Sequence, residues 1–190
     1  DYVTFLGSNF VEQGRRAAEW LATATNGQAR IVELSGTPGS SVAADRAKGF
    51  RDGIAKYPGM TIVASQTGNF TRAQGERVMQ NLAQSLGAQI TAVYAHNDEM
   101  ALGAIQALKS AGRKPGQDVT VVSIDGQRAA LEAILAGELG ATVESNPRFG
   151  PLAFETIEKL RKGDSVPRKI ILTDRLFDRG NAQQFLAEAY

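Results

Sequence analysis

Short runs rich in β-branched and aliphatic residues alternate with amphipathic segments along nearly the whole chain, and this alternation restricts the fold more than any other feature. Extended runs fall at 2–7, 29–34, 61–66, 90–95, 119–124, 141–144 and 170–172. Between them, helical spacing recurs, as in Val42, Ala43, Ala47, Phe50 and Ile54. Asn26-Gly27 and Pro58-Gly59 read as stops, and Thr71-Arg72-Ala73-Gln74 as a capping box. Pro147 suits the start of a helix that ends near Lys162-Gly163. A terminal helix is expected over 182–189, and 174–181 reads as irregular. Strict β–α alternation implies parallel strands joined by right-handed crossovers, with helices on both faces. The expected class is α/β, a three-layer doubly wound parallel sheet.

Composition narrows the chemistry. The 190 residues suffice for a real core, and 43% are hydrophobic. Lys and Arg number 21 against 20 Asp and Glu, a net charge of +1, which gives no reason to expect nucleic acid as a partner. With no cysteine, disulfides, thiolate metal sites and cysteine nucleophiles are excluded, and no cofactor or metal is expected. No apolar run approaches the ~20 residues of a membrane span. The chain opens on Asp1-Tyr2-Val3-Thr4-Phe5-Leu6, a strand already under way, so further sequence is expected upstream and the lack of a signal peptide carries no weight.

In an open parallel sheet, ligands bind outside the carboxyl ends of the strands. The residues just past those ends are Ser8 and Asn9, the loop Gly36-Thr37-Pro38-Gly39-Ser40-Ser41 with Arg46 a turn further on, Phe70, Asn97, Asp125, and Glu144 with Ser145. Sugar hydroxyls both donate and accept: a carboxylate accepts, a guanidinium donates, an amide does both, and an aromatic ring covers the apolar C–H face. Arg46, Asn97, Asp125, Phe70 and Ser8 are therefore the candidate ligand-binding residues. Read singly, each has a plainer role. Arg46 would be a surface ion-pair residue beside Asp45 and Lys48, Asn97 a helix cap, Asp125 part of an Asp-Gly turn, and Phe70 a hydrophobic staple. Their delivery to one edge by independent strands is what makes them a site. The loop 36–41 lacks the lysine of a P-loop and the GxGxxG spacing, so it reads as a cleft wall that aims Arg46. His96 has no nucleophile or second histidine to work with and is expected to pack beside the cleft; Trp20 reads as core edge.

Several of these stretches together resemble type I periplasmic sugar-binding proteins of ABC importers, the ribose- and galactofuranose-binding group. They are Tyr94-Ala95-His96-Asn97-Asp98-Glu99-Met100-Ala101-Leu102-Gly103-Ala104, Ser123-Ile124-Asp125-Gly126, Val42-Ala43-Ala44-Asp45-Arg46-Ala47-Lys48-Gly49-Phe50, Glu33-Leu34-Ser35-Gly36-Thr37 and Gly68-Asn69-Phe70-Thr71-Arg72. The resemblance implies that Arg46, Asn97 and Asp125 bind sugar hydroxyls, that Phe70 meets the sugar face, and that Ser8 is a lesser contact. Ile124 stands where ribose binders carry an aromatic, and Ser145 follows Glu144 where they carry glutamine at the hinge. The variants lean instead toward galactofuranose binders. The resemblance further implies four stretches: 1–7 as a strand and first crossover, 8–145 as the C-terminal sugar-binding lobe, 146–172 as a segment of the other lobe, and 173–190 as a returning tail. Most of the N-terminal lobe would precede Asp1. The helix over 149–160 would lack its usual sheet and is expected to dock on its own lobe or on another copy. The implied partners are a monosaccharide and a membrane ABC permease, in the periplasm, with the full-length protein monomeric and this chain prone to self-association.

Two other functions use the same features. The effector-binding core of a LacI-type transcription regulator shares the fold, and the upstream sequence would separate the two: a signal peptide for import, a helix-turn-helix for regulation. A sugar-modifying enzyme would use Asp125 and Glu144 as an acid–base pair.

Overall fold

A computed structural model describes residues 2–190; Asp1 of the opening strand lies outside the described residues. In chain order the elements are β1 (Phe5–Gly7), α1 (Phe10–Ala24), β2 (Gln28–Ser35), α2 (Ser41–Ile54), β3 (Gly59–Thr67), α3 (Arg72–Leu86), β4 (Ala92–Ala95), α4 (Asp98–Ser110), β5 (Thr120–Asp125), α5 (Arg128–Leu135), β6 (Ala141–Glu144), α6 (Gly150–Arg161), β7 (Lys169–Ile171), β8 (Leu176–Asp178) and α7 (Ala182–Phe185). A six-stranded sheet runs β3-β2-β4-β5-β6-β8. Its first five strands are parallel, and β8 pairs antiparallel with β6. The doubly wound α/β sheet is as expected, except for that last strand. The stretch 174–181 reads as irregular because β8 has only three residues, too few to display a period.

Residue alternation along each strand sorts the core into two layers. Ile31, Tyr94, Ile124 and Val143 face α1 and α2, where they meet Leu21, Phe50 and Ile54. Val32, Leu34, Val93 and Val121 face the opposite side, against residues of α3, α4 and α5. The Phe50 and Tyr94 rings stack with centroids 3.8 Å apart. Helices α1 and α2 approach unusually closely, because a Cβ on Gly14 would lie 2.2 Å from the Arg46 carbonyl oxygen and one on Gly49 1.8 Å from that of Val11. This close approach places Gln13 beside Arg46.

Strands β1 and β7 form a separate two-stranded parallel sheet. The chain therefore passes between the two sheets three times: at Ser8, at 145–149 and at 172–175. The middle passage corrects the placement of a helix start at Pro147. Asn146 Oδ1 accepts the Arg148 amide at 2.8 Å, which closes a local turn, and the helix begins at Gly150 with Pro151 in its first turn. The terminal helix is also shorter than expected, ending at Phe185. Helix α6 buries Thr156 but leaves Phe154 71% exposed, with Ile157 and Leu160 also exposed, so its apolar face is not covered within this chain. No helix among the described residues is long and apolar enough to cross a membrane.

Candidate functional site

Strands β2 and β4 are neighbours, but the chain leaves them toward opposite edges of the sheet. This topological switch opens a crevice at their carboxyl ends. There the Gly36 amide donates to His96 Nδ1 at 3.2 Å. His96 Nε2 lies 3.3 Å from Glu33 Oε1, and both side chains are fully buried. Burial pushes the His96 pKa down, so the ring stays neutral and acts as a brace between β2 and β4. Trp20 also has its expected structural place, its indole N–H donating to Asp178 at 3.3 Å.

Arg46 lies on the first turns of α2 and is only 4% exposed, so it is not the surface residue its neighbours suggest. Lys48 pairs with Asp52 one turn on. The Arg46 guanidinium donates from Nε to Gln13 Oε1 at 3.0 Å, from Nη1 to the His96 carbonyl at 2.6 Å, and from Nη2 to Asp125 Oδ1 at 3.3 Å. A buried arginine fixed on three sides keeps its remaining donors aimed in one direction.

Asp125 ends β5 at φ 137°, and Gly126 follows at φ 79°. This strained turn is held from below. Asp98, fully buried at the start of α4, accepts from Ser123 Oγ, from Thr142 Oγ1 at 2.7 Å and from the Gln127 amide at 2.8 Å. Thr142 Oγ1 in turn accepts the Gly126 amide at 3.1 Å. From the rim, the Tyr190 hydroxyl reaches the Asp125 carbonyl at 3.0 Å and the Ser145 carbonyl at 3.1 Å. Burial raises the pKa values of Asp98 and Asp125; the charge of Asp125 adds to the rise at Asp98, and Arg46 opposes it at Asp125.

Asn97 caps α4, accepting the Met100 amide at 3.1 Å, while its Nδ2 donates to the Phe70 carbonyl at 3.0 Å. One side chain thus ties the ends of β3 and β4 together and retains one free N–H. Phe70 has φ 61°, and its ring lies so close to Gly36 that a Cβ there would stand 2.0 Å from Cζ. The capping box forms by half: Thr71 Oγ1 accepts the Gln74 amide at 3.3 Å. The loop 36–41 lines a cavity of about 400 Å³ together with Ala43, Ala44, Ala47 and His96.

Arg46, Asn97, Asp125 and Phe70 therefore belong to one edge. Ser8 connects differently: its Oγ donates to Asp174 Oδ1 at 2.9 Å, and Asp174 reaches Arg46 only through Gln13. Gln13, Asp98, Asp174 and Tyr190 were not foreseen as site residues. Gln13 lies mid-helix and Tyr190 far along the chain, so no spacing rule singles them out. Glu144 is turned to structural partners and is not a free carboxylate beside Asp125. Arg175 grips both its oxygens at 2.8 Å, and Asn146 adds a bond at 3.1 Å. Against the upward push of burial, these partners hold its pKa below the usual value, so it stays an ionised anchor.

Comparison with known proteins agrees with this fold. Residues 1–165 match the periplasmic binding protein domain. The galactofuranose-binding protein YtfQ of Escherichia coli is 43% identical over 175 residues, covering 90% of this chain and 55% of that protein. The ribose import binding protein RbsB of the same organism is 37% identical over 170 residues, covering 89% and 56%. Among solved structures, the binding protein of an arabinose ABC transporter from Shewanella sp. ANA-3, bound to α- and β-L-arabinofuranose, superposes with a TM-score of 0.94 at 43% identity, covering 98% of this chain and 63% of that one. The chain thus spans little more than half the length of the curated relatives it matches. Its match to that family over most of its length, and the ring of polar groups at the carboxyl edge of its sheet, mean that the chain belongs to the periplasmic binding protein domain family.

Proposed function

We propose that this chain is one sugar-binding wall of an ABC importer's solute-binding protein, and that it takes a monosaccharide in furanose form. The observation that carries this reading is the buried Arg46 held against Asp125 at the crevice, with Asn97 and Phe70 on the same edge. Donor, acceptor, amide and ring are the groups a hydroxyl-rich ring needs, and charged partners make each hydrogen bond worth about 1.5–3 kcal/mol. Relatives described as binding galactofuranose and arabinofuranose support the furanose form. In this reading residues 8–145 and 173–190 form the sugar-binding lobe, and residues 146–172 contribute to a second lobe that closes over the ligand from the other side. Ser8 contributes at the crossover. The protein works in the periplasm as a monomer, hands its sugar to a membrane permease, and catalyses no reaction.

The test is a thermal-shift and calorimetric screen of L-arabinose, D-galactose, D-fucose and D-ribose against the protein extended to the full length of its relatives, with the present chain alongside. Stabilisation of the extended protein by sugars that populate furanose forms is expected, with weaker binding by this chain, because one wall cannot desolvate the ligand. No response of the extended protein to any of the four would remove the reading.

A further inference from the structure

Gln13 is 1% exposed and makes every hydrogen bond its amide can direct inward. Its Oε1 accepts from Arg46 Nε at 3.0 Å, and its Nε2 donates to Asp174 Oδ2 at 2.8 Å and to the Glu144 carbonyl at 3.3 Å. The orientation is unambiguous, since Nε of an arginine can only donate and a carbonyl oxygen can only accept. Asp174 accepts from Ser8 Oγ through its other oxygen, and Arg16 donates to the Asp174 carbonyl. These partners mark the three passages between the two sheets: Ser8 on the first, Glu144 at the threshold of the second, and Asp174 on the third. One buried amide therefore touches the arginine of the site on one side and two of the passages directly on the other, with the third one bond further away.

We propose that Gln13 is a positioning residue that couples Arg46 to the chain passages, so that a change in the angle between the two sheets is felt as a change in the aim of the Arg46 guanidinium, and a ligand held by Arg46 biases that angle in return. The inference deepens the sugar-binding reading and rests on it for the identity of the ligand, while the coupling itself is a property of the unliganded chain. Buried hydrogen bonds in series polarise one another, and a side chain with no exposed surface cannot yield on one side without shifting on the other. The Gly14 and Gly49 contacts bring α1 close against α2, and Gln13 is buried where the two helices meet.

The experiment reads the Arg46 Nε–Hε resonance by NMR, with its exchange rate with water, in the unliganded chain. Asp174→Asn alters the far end of the relay without touching Arg46. It is expected to shift that resonance and to speed its exchange at least about threefold. Lys159→Ala breaks an exposed ion pair with Glu155 on α6, away from all three passages and from Gln13, and is expected to leave the resonance where it is. Should Asp174→Asn not fold, Ser8→Ala makes the same test by removing a donor to Asp174. An unchanged Arg46 resonance in the Asp174 or Ser8 variant, or an equal shift in Lys159→Ala, overturns the coupling. A second arm measures sugar dissociation from the extended protein, where Gln13→Leu is expected to raise the off-rate about tenfold while the on-rate holds. If the parent protein binds none of the sugars, the proposed function falls, and the NMR arm still decides the coupling.

Discussion

Arg46 Nη2 lies 3.3 Å from Asp125 Oδ1, although the two residues are 79 positions apart and come from different layers of the fold, a helix and a strand end. Each explains the other's burial. The guanidinium compensates a carboxylate at a strained turn, and the carboxylate helps fix the guanidinium's outward face.

The costs of removing the two partners should therefore not add. Arg46→Met takes the arginine's donors from Gln13 Oε1 and the His96 carbonyl and the cation from the buried Asp125 carboxylate, and is expected to destabilise the chain by about 3 kcal/mol. Asp125→Asn keeps a residue that tolerates positive φ. The double variant should be more stable than the sum of the two single losses predicts, as measured by urea denaturation in a double-mutant cycle.

The buried carboxylates set a pH dependence. Asp98 and Asp125 have folded pKa values raised above their unfolded ones, so the native state holds protons that the unfolded chain has released. Their contribution to stability is full below the unfolded value of about 3.9 and is lost as pH rises through the folded values. Asp98→Asn is expected to flatten the fall in stability between about pH 4 and 7. An identical slope in parent and variant would assign the dependence to other groups.

Glu33 acts in the opposite sense. Burial pushes its pKa up, but His96, Ser65 and Arg51 outweigh this and hold it at about 2. The stability it contributes is present above the unfolded value and is lost as pH falls from about 4.3 toward 2. Glu33→Gln should remove that part of the acid transition, seen by circular dichroism against pH.

Gly36 is occupied space. An alanine there would meet the Phe70 ring at 2.0 Å, so Gly36→Ala is expected to displace the ring, cost about 1–3 kcal/mol and weaken sugar binding. A Cβ at Gly150 meets nothing within 4 Å, and Gly150→Ala should leave both unchanged. Thermal melts with and without sugar compare the two.

Helix α6 presents Phe154, Ile157 and Leu160 to solvent. This chain is expected to associate at high concentration through that face, and Phe154→Ser with Ile157→Ser should return it to monomer by sedimentation velocity, with stability changed by less than about 0.5 kcal/mol.

Much of the site was legible because a parallel sheet turns position in sequence into position in space. The residue at or just past each strand end lands on one edge, which is why Asn97, Asp125 and Phe70 stand out in the sequence. Arg46 was legible as a candidate at that edge but not in its burial, since Asp45 and Lys48 beside it suggest a solvated face. Strand β8 was missed because three residues carry no period, and the helix start at Pro147 because an Asn146 turn intervenes.

The sequence by itself determined the α/β class, the alternation of strands and helices as far as β7, and the chemistry offered at the sheet edge, because periodicity and strand ends are local properties of a chain. The tertiary structure alone decided what stands behind that edge. Gln13 joins Arg46, 33 positions further on, to Asp174, 161 positions further on; Asp98 holds the turn of Asp125 from below, and Tyr190 closes it from the rim. Hydrogen bonds between distant segments depend on how closely helices pack, here set by Gly14 against Arg46, and packing distance leaves no periodic trace in a sequence.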